Sequence, residues 1–288
     1  MKKRIVTLIM LAVSLSMLAG CTLPGSSAKK EEEYREQGIA LLEAGEYELA
    51  VEMFDLSLGQ TYGFFTKTEL DICYYKALCQ YKNGDVIDAL NTYDGIIELK
   101  KKDWRAYYLR GTVYLEEGDF EGALKDYESA ASLNGKDTDM LMQIAVNLEN
   151  AGDETNALTY YNMIIENGGK GAAARRNIGE AYYKIGNTDE ATGILEEAIE
   201  DGDIPALLYM ADIYMETGDY ETALSLIEEG LLAEETDDEV KARFMFAKVI
   251  CYEYMAEWES AKTAIEEYTE AYPDDEDGQR EYTFLENR

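Results

Sequence analysis

The chain has 288 residues, and its 59 aspartates and glutamates outnumber its 26 lysines and arginines, for a formal net charge of -33. This length is enough to bury a sizeable apolar core, whereas a charge of this sign disfavours contact with nucleic-acid phosphates. The chain contains no histidine, which removes the commonest general base and the commonest zinc ligand. We therefore predict no nucleic-acid partner, no metal and no cofactor.

The first twenty residues have the features of a secretory signal peptide. Lys2, Lys3 and Arg4 precede an apolar segment that runs from Ile5 to Met17. This segment is shorter than the roughly 20 residues that a membrane-spanning helix needs. A basic start, a short apolar core and a small-residue ending are typical of a cleaved signal, so we predict that residues 1–20 are removed.

The four residues that follow the apolar core, LAGC at positions 18–21, resemble the lipobox of bacterial lipoproteins. The resemblance implies that Cys21 carries a diacylglyceryl group and that a dedicated peptidase cleaves just before it. Two acyl chains would anchor the protein without a spanning helix. Residues 21–30, which include Pro24 and Gly25, are predicted to form a flexible tether. An ordinary signal peptide and an uncleaved anchor are the alternatives.

A short pattern recurs seven times along the rest of the chain: a turn glycine, a polar residue, three variable positions and an alanine. The alanines are Ala50, Ala89, Ala123, Ala157, Ala191, Ala223 and Ala261. Their spacings are 39, 34, 34, 34, 32 and 38 residues, and a period of this size is typical of repeat proteins. The seventh copy is the weakest, because Ala256 stands where the others have glycine.

The residues around each of these alanines recur in size as well as in position. Twelve positions before it stand Gly38, Ala77, Gly111, Ala145, Gly179, Ala211 and Val249. Four positions after it stand Phe54, Tyr93, Tyr127, Tyr161, Leu195, Ile227 and Ile265. Small and large residues at helical spacing predict two closely packed helices per repeat, with the glycine ending the first helix and an acidic residue beginning the second.

This pattern resembles the tetratricopeptide repeat family over residues 31–273. The resemblance implies an all-α fold, a right-handed α-solenoid of about seven helical hairpins. Residues 274–288 are predicted to be an acidic tail that could hold a capping helix. The sequence departs from the family in its first-helix tryptophan, which is replaced by Tyr34 and Tyr107, for example.

The resemblance further implies that the first helices line a concave groove that receives a peptide or a partner helix. Carried over by repeat position, the predicted groove residues are Arg35, Tyr74, Tyr81, Lys82, Tyr108, Met142, Asn150, Arg176, Tyr183, Lys184, Leu208 and Phe246. Many of the 23 tyrosines occupy core positions instead. A tyrosine predicted to line the groove could therefore equally be a core residue or a binding residue. Tyr74 and Tyr108 stand where the carboxylate clamp of one subfamily has basic residues, so we do not predict such a clamp.

No motif of an enzyme is present, and the acidic run at 274–278 does not match a calcium loop because Pro273 occupies its first ligand position. We predict a membrane-anchored extracytoplasmic adaptor that binds a protein or peptide. The alternatives are an envelope assembly factor of the outer-membrane or pilus type and a lipoprotein that binds cell-wall glycan. A Gram-positive cell surface is the favoured location, and a Gram-negative envelope stays open.

Overall fold

The computed structural model describes residues 27–60, 65–233 and 236–288. Within these ranges the chain forms 15 helices and no strand, which confirms the predicted all-α class. Cys21 and the predicted signal peptide at 1–20 lie outside the described residues. No helix among the described residues combines the length and the hydropathy needed to cross a bilayer.

The chain divides into two compact units, which we call the N-terminal unit (residues 1–134) and the C-terminal unit (135–288). The hairpins of the N-terminal unit are α1 (Ser27–Glu43) with α2 (Tyr47–Leu58), α3 (Lys67–Lys82) with α4 (Val86–Leu99), and α5 (Trp104–Glu116) with α6 (Phe120–Asn134). Those of the C-terminal unit are α7 (Thr138–Asn150) with α8 (Glu154–Asn167), α9 (Ala172–Lys184) with α10 (Thr188–Glu200), α11 (Ala206–Thr217) with α12 (Tyr220–Leu232), and α13 (Asp238–Tyr254) with α14 (Trp258–Ala271). The last described helix is α15 (Glu276–Glu286).

All seven hairpins use the same turn between their two helices. In the first, Gly45 has a φ of 78°, its N–H donates to Leu42 (3.0 Å), and the next N–H donates to Leu41 (2.9 Å). This is the left-handed helix ending that favours glycine. The seventh hairpin has the same two hydrogen bonds, but the left-handed residue is Ala256, with a φ of 57°. The repeat therefore imposes this conformation even on a residue with a Cβ.

The predicted contact between the two helices of a hairpin is present. The seven repeat alanines are buried, each at most 2% exposed. A Cβ built on Gly38 would lie 2.6 Å from the ring of Phe54, and one built on Gly179 would lie 2.6 Å from Leu195. A glycine in the first helix thus makes room for the large residue sixteen positions later, as the spacing of the repeat predicts.

The two ends of the repeat array differ slightly from the predicted boundaries. Helix α1 begins at Ser27, so residues 27–30, predicted as part of the tether, are helical in the structure. Ala28, Lys29 and Lys30 are good helix formers, which explains the earlier start. At the other end α15 occupies the predicted acidic tail, and its Leu285 is buried in a cluster with Val249.

Candidate functional site

The first helices of the N-terminal unit border a cavity of about 710 Å³. Two predicted groove residues, Arg35 and Tyr74, line it together with Arg105. The charges here are largely paired. Arg35 Nη2 lies 2.6 Å from Asp71 Oδ2, and Arg105 Nε lies 3.1 Å from Asp103 Oδ1. The guanidinium carbon of Arg105 is also 5.1 Å from the ring centroid of Tyr74.

The other predicted groove residues of this unit are distributed along α3 and α5. The hydroxyl of Tyr81 donates to Glu116, and the neighbouring Lys82 is exposed. Tyr108 is half-buried and packs against the core ring of Tyr127, with 6.1 Å between centroids. Tyr108 therefore contributes to the core as well as to the surface, which is the ambiguity that the sequence leaves open for these tyrosines.

The first helices of the C-terminal unit, α7, α9, α11 and α13, share a surface that contains three adjoining cavities, which we call the first-helix face. The cavities measure about 460, 590 and 320 Å³. They adjoin because Asp212 lines two of them, Tyr209 lines two, and Arg243 lines two. Apolar side chains such as Met215 and Ile250 form much of the remaining wall.

The central cavity of this face, of about 590 Å³, is lined mainly by tyrosines and carboxylates, and we call it the tyrosine cavity. Its tyrosines are Tyr183, Tyr209, Tyr220 and Tyr254, and its carboxylates are Glu180, Asp212 and Glu216. The rings of Tyr220 and Tyr254 are stacked, with centroids 5.6 Å apart and planes inclined by 3°. Tyr254 is 62% exposed, so the stacked pair is open to a partner.

Two of the carboxylates in the tyrosine cavity are withdrawn from water. Glu180 is 7% exposed, and burial raises the pKa of its carboxyl group. Burial also raises the pKa of Asp212 to about 6, which the positive charge of Arg243 opposes and the negative charge of Glu216 reinforces. Lys184 Nζ borders the same cavity but is 3.0 Å from Glu149 Oε2, so its charge is already shared.

The remaining predicted groove residues of the C-terminal unit have unequal surroundings. Met142 and Leu208 border cavities but are 6% and 3% exposed, so they act mainly as core residues. Arg176 Nη1 lies 2.9 Å from the buried carboxylate of Asp203. Phe246 is half-buried and packs against Tyr268, with 5.3 Å between ring centroids, and Asn150 is exposed at the end of α7.

The prediction from sequence missed Glu180, Tyr209, Asp212 and Arg243. A signal for the two carboxylates does exist in the sequence, eleven positions before the repeat alanine. At this position the other five repeats carry Ile39, Leu78, Thr112, Val146 and Ile250. A charge in only two adjacent repeats, at a position that the others leave uncharged, indicates a role beyond the packing of the repeat.

The described residues contain no group of three or more cysteine, aspartate or glutamate side chains placed to hold a metal ion. The cavities instead combine aromatic, aliphatic and charged side chains. Such combinations are typical of protein-binding surfaces, where tyrosine, methionine and arginine are enriched.

Sequence comparisons identify similar proteins for most of the hairpins. Tetratricopeptide repeat family profiles match residues 74–138, 108–172 and 186–243, which together exceed half of the chain. Photosystem I assembly protein Ycf3 of Prochlorococcus marinus strain NATL1A is 29% identical over 104 residues, covering 35% of this chain and 60% of that protein. Ycf3 of Synechococcus sp. strain CC9311 is 30% identical over 105 residues, with 35% and 61% covered. The chain thus matches about three fifths of the length of these relatives.

Solved structures support the fold. A tetratricopeptide repeat protein from Parabacteroides merdae has a TM-score of 0.60 at 19% identity, covering 89% of this chain and 99% of that one. PilW, a type IV pilus biogenesis factor, has a TM-score of 0.52 at 14% identity, with 75% and 99% covered. At these identities the likeness concerns the fold alone, and it agrees with the solenoid class predicted from the repeat.

Proposed function

Because the chain belongs to the tetratricopeptide repeat family, we propose that it is a membrane-anchored, extracytoplasmic adaptor that binds a protein partner on its first-helix face. The observation that carries this proposal is the row of adjoining cavities on α7, α9, α11 and α13. These cavities offer a partner apolar walls, open tyrosine rings and charged groups on one continuous surface, as protein interfaces do.

The site of binding can be tested with a photo-crosslinking amino acid placed by suppression of a stop codon. A benzophenone side chain at Tyr183 replaces one aromatic group with another inside the tyrosine cavity. The matched control is Leu158, an exposed residue on the second helix α8. In native membranes we expect Tyr183, and not Leu158, to give a discrete crosslinked product. The same products from both positions would contradict binding at the first-helix face.

Arg176 is unsuitable as a binding probe. Its removal would leave the buried carboxylate of Asp203 without its cation, and an uncompensated buried charge destabilises the fold. A loss of binding in Arg176→Ala would therefore not distinguish the loss of a partner contact from the loss of folded protein. Exposed or half-exposed residues such as Tyr183 and Tyr254 avoid this problem.

The membrane anchor is tested separately, by metabolic labelling with radioactive palmitate. We expect the label to be incorporated into the wild-type protein and to be absent from Cys21→Ser. The proposal is supported by the lipobox-like residues at 18–21. Undiminished labelling of the variant would contradict the anchor and leave the binding surface unaffected.

A second candidate function is a factor that assists the assembly of an envelope complex. It is favoured by the relatives named as photosystem I assembly proteins, which match about a third of this chain. An assembly factor predicts that deletion of the gene leaves the subunits of some envelope complex present but unassembled on native gels. An adaptor predicts that the complex assembles and that only the recruitment of one component is lost.

A further inference from the structure

We propose that the tyrosine cavity receives a cationic side chain, lysine or arginine, from a protein partner. This inference rests on the adaptor function proposed above and adds the chemistry of the contact. It concerns the group formed by Tyr183, Tyr209, Tyr220 and Tyr254 with Glu180, Asp212 and Glu216.

The repeat pattern distinguishes two of the carboxylates in the cavity. Glu180 and Asp212 stand eleven positions before the repeat alanine, on α9 and α11, where the other five repeats carry uncharged residues. Packing of the hairpins does not require an acid here, because those repeats form the same hairpin without one. Two adjacent acids at one repeat position place two carboxylates in one cavity, since both line it.

Within the part of the chain that the structure describes, these two carboxylates have no ion-pair partner in the cavity. Among the described residues, neither Glu180 nor Asp212 has a lysine or arginine nitrogen within ion-pair distance. Lys184, on the cavity wall, is paired with Glu149. The guanidinium carbon of Arg243 lies 5.8 Å from the ring centroid of Tyr209. Glu180 accepts a hydrogen bond from the hydroxyl of Tyr209, but withdrawing a carboxylate from water without an ion pair still costs free energy. A cation supplied from outside would offset this cost.

Aromatic rings form part of the wall of the cavity. The face of a tyrosine ring attracts an ammonium or guanidinium group, and several rings around one cation form the cages that recognise such groups. Burial, together with the charge of Glu180, raises the pKa of Tyr209 to about 12, and burial raises the pKa of Tyr183. Both tyrosines are therefore neutral at physiological pH.

The charge of the whole chain acts in the same direction. A formal net charge of -33 steers a basic partner towards the protein and repels an acidic one. Net charge alone would hold a basic partner anywhere on the surface. The tyrosine cavity differs from such a general surface because two of its carboxylates, Glu180 and Asp212, are partly or fully withdrawn from water and lie beside aromatic rings.

Protonation of Asp212 should affect the binding of a cation. With its pKa raised to about 6, Asp212 is charged at pH 7.5 and largely neutral at pH 5. The charged groups that share its cavities are Glu216 on its own helix, Lys184 and Glu180 on α9, Arg243 and Glu239 on α13, and Asp275 and Asp277 at the start of α15. We expect binding of a cation to weaken as the pH falls through 6, while a contact made only by apolar groups would not respond.

The test uses two designed helical peptides that share one leucine face and differ only in their polar face, which carries lysine in one and glutamate in the other. Isothermal titration calorimetry against the purified full chain at pH 7.5 and 150 mM salt measures each affinity. We expect the lysine peptide to bind at least about tenfold more tightly. Equal affinities for the two peptides would overturn the inference.

Variants test whether the tyrosine cavity causes the difference in affinity between the two peptides. We expect Asp212→Asn to weaken binding of the lysine peptide about tenfold, and Tyr254→Leu to weaken it more than Tyr254→Phe. The matched control is Asp189→Asn, which removes one exposed carboxylate from the second helix α10. Equal losses in Asp212→Asn and Asp189→Asn would show that the peptide responds only to net charge, which contradicts the inference.

The outcome is separable from that of the adaptor proposal. If Asp212→Asn leaves the affinity for the lysine peptide unchanged while crosslinking at Tyr183 still yields its discrete product, the adaptor proposal stands and the cationic contact is wrong. If crosslinking at Tyr183 also matches the Leu158 control, both are wrong.

Discussion

The two units share one hairpin design but differ in the surroundings of particular carboxylates. In the N-terminal unit, Arg110 donates from Nε and Nη2 to the carboxylate of Asp126, both at 2.7 Å, and also contacts Asp94. In the C-terminal unit, Glu180 is buried and Asp212 is half-buried, and within the described part of the chain neither has a lysine or arginine in ion-pair contact. A charge that is fully compensated inside the chain supports the fold, whereas one left uncompensated is available to a partner.

The largest expected effect comes from breaking the compensated pair. Arg110→Met leaves the Asp126 carboxylate, whose side chain is 4% exposed, without a cation. We expect the free energy of unfolding, measured by urea denaturation, to fall by about 3 kcal/mol. In the double variant with Asp126→Asn most of this loss should be recovered. A loss below about 1 kcal/mol in the single variant would mean that the pair is not compensated as described.

Removing the Asp212 carboxylate should raise the free energy of unfolding instead of lowering it. Because its pKa is higher in the folded chain than in the unfolded chain, Asp212 destabilises the fold once it ionises. This cost is present above about pH 6 and disappears below the ordinary aspartate pKa near 4. Allowing for solvent screening at this half-buried site, we expect Asp212→Asn to stabilise the protein by about 1 kcal/mol at pH 7.5.

The same variant should be close to neutral at pH 4, where the wild-type carboxyl is also uncharged. Urea denaturation of both proteins at the two pH values measures the difference. A destabilised variant at both pH values would show that Asp212 has a structural partner, and the contrast between the two units would then be lost.

A smaller effect is expected at the hairpin turn that both units share. Ala256 is the one left-handed turn residue with a Cβ among the seven hairpins of the described chain. Ala256→Gly should relieve this strain and, after the entropic cost of glycine, stabilise the protein by about 0.5 kcal/mol. The reverse change at the equivalent turn, Gly218→Ala, should destabilise it. If Ala256→Gly is destabilising, alanine is not strained in this turn.

The smallest effect is expected where the charges are exposed. Arg175 contacts Glu197 and Asp201, whose side chains are 60% and 51% exposed. Solvent and salt screen such pairs, so Arg175→Gln should change the free energy of unfolding by less than about 0.5 kcal/mol. A loss comparable with that of Arg110→Met would mean that burial does not separate the two kinds of ion pair.

The fold could be predicted from the sequence because each constraint recurs. The turn residue, the buried alanine and the facing pair of Gly38 and Phe54 are local, and seven copies reinforce one another. The site was harder to predict. The prediction by repeat position selected Tyr183 and Lys184, which line the tyrosine cavity. It also selected Met142 and Leu208, which are buried.

Two properties of the site depend on contacts that the sequence pattern does not contain. The charge of Lys184 is paired with that of Glu149, thirty-five residues earlier in the chain, and the size pattern that defines the repeat does not include this contact. Asp212 matters because it is withdrawn from water and lacks a cation, which depends on the neighbouring helices. Its unusual repeat position was visible in the sequence, but the physical consequence required the structure.

The proposed cation contact depends on Asp212 being a poorly compensated carboxylate. The most direct test is the pKa of its carboxyl group, followed through the 13C chemical shift of the carboxyl carbon in an NMR titration of selectively labelled protein, with and without the lysine peptide. We predict a pKa of about 6 in the free protein and a fall towards the ordinary value near 4 in the complex. An ordinary pKa in the free protein, unchanged by the peptide, would contradict the claim.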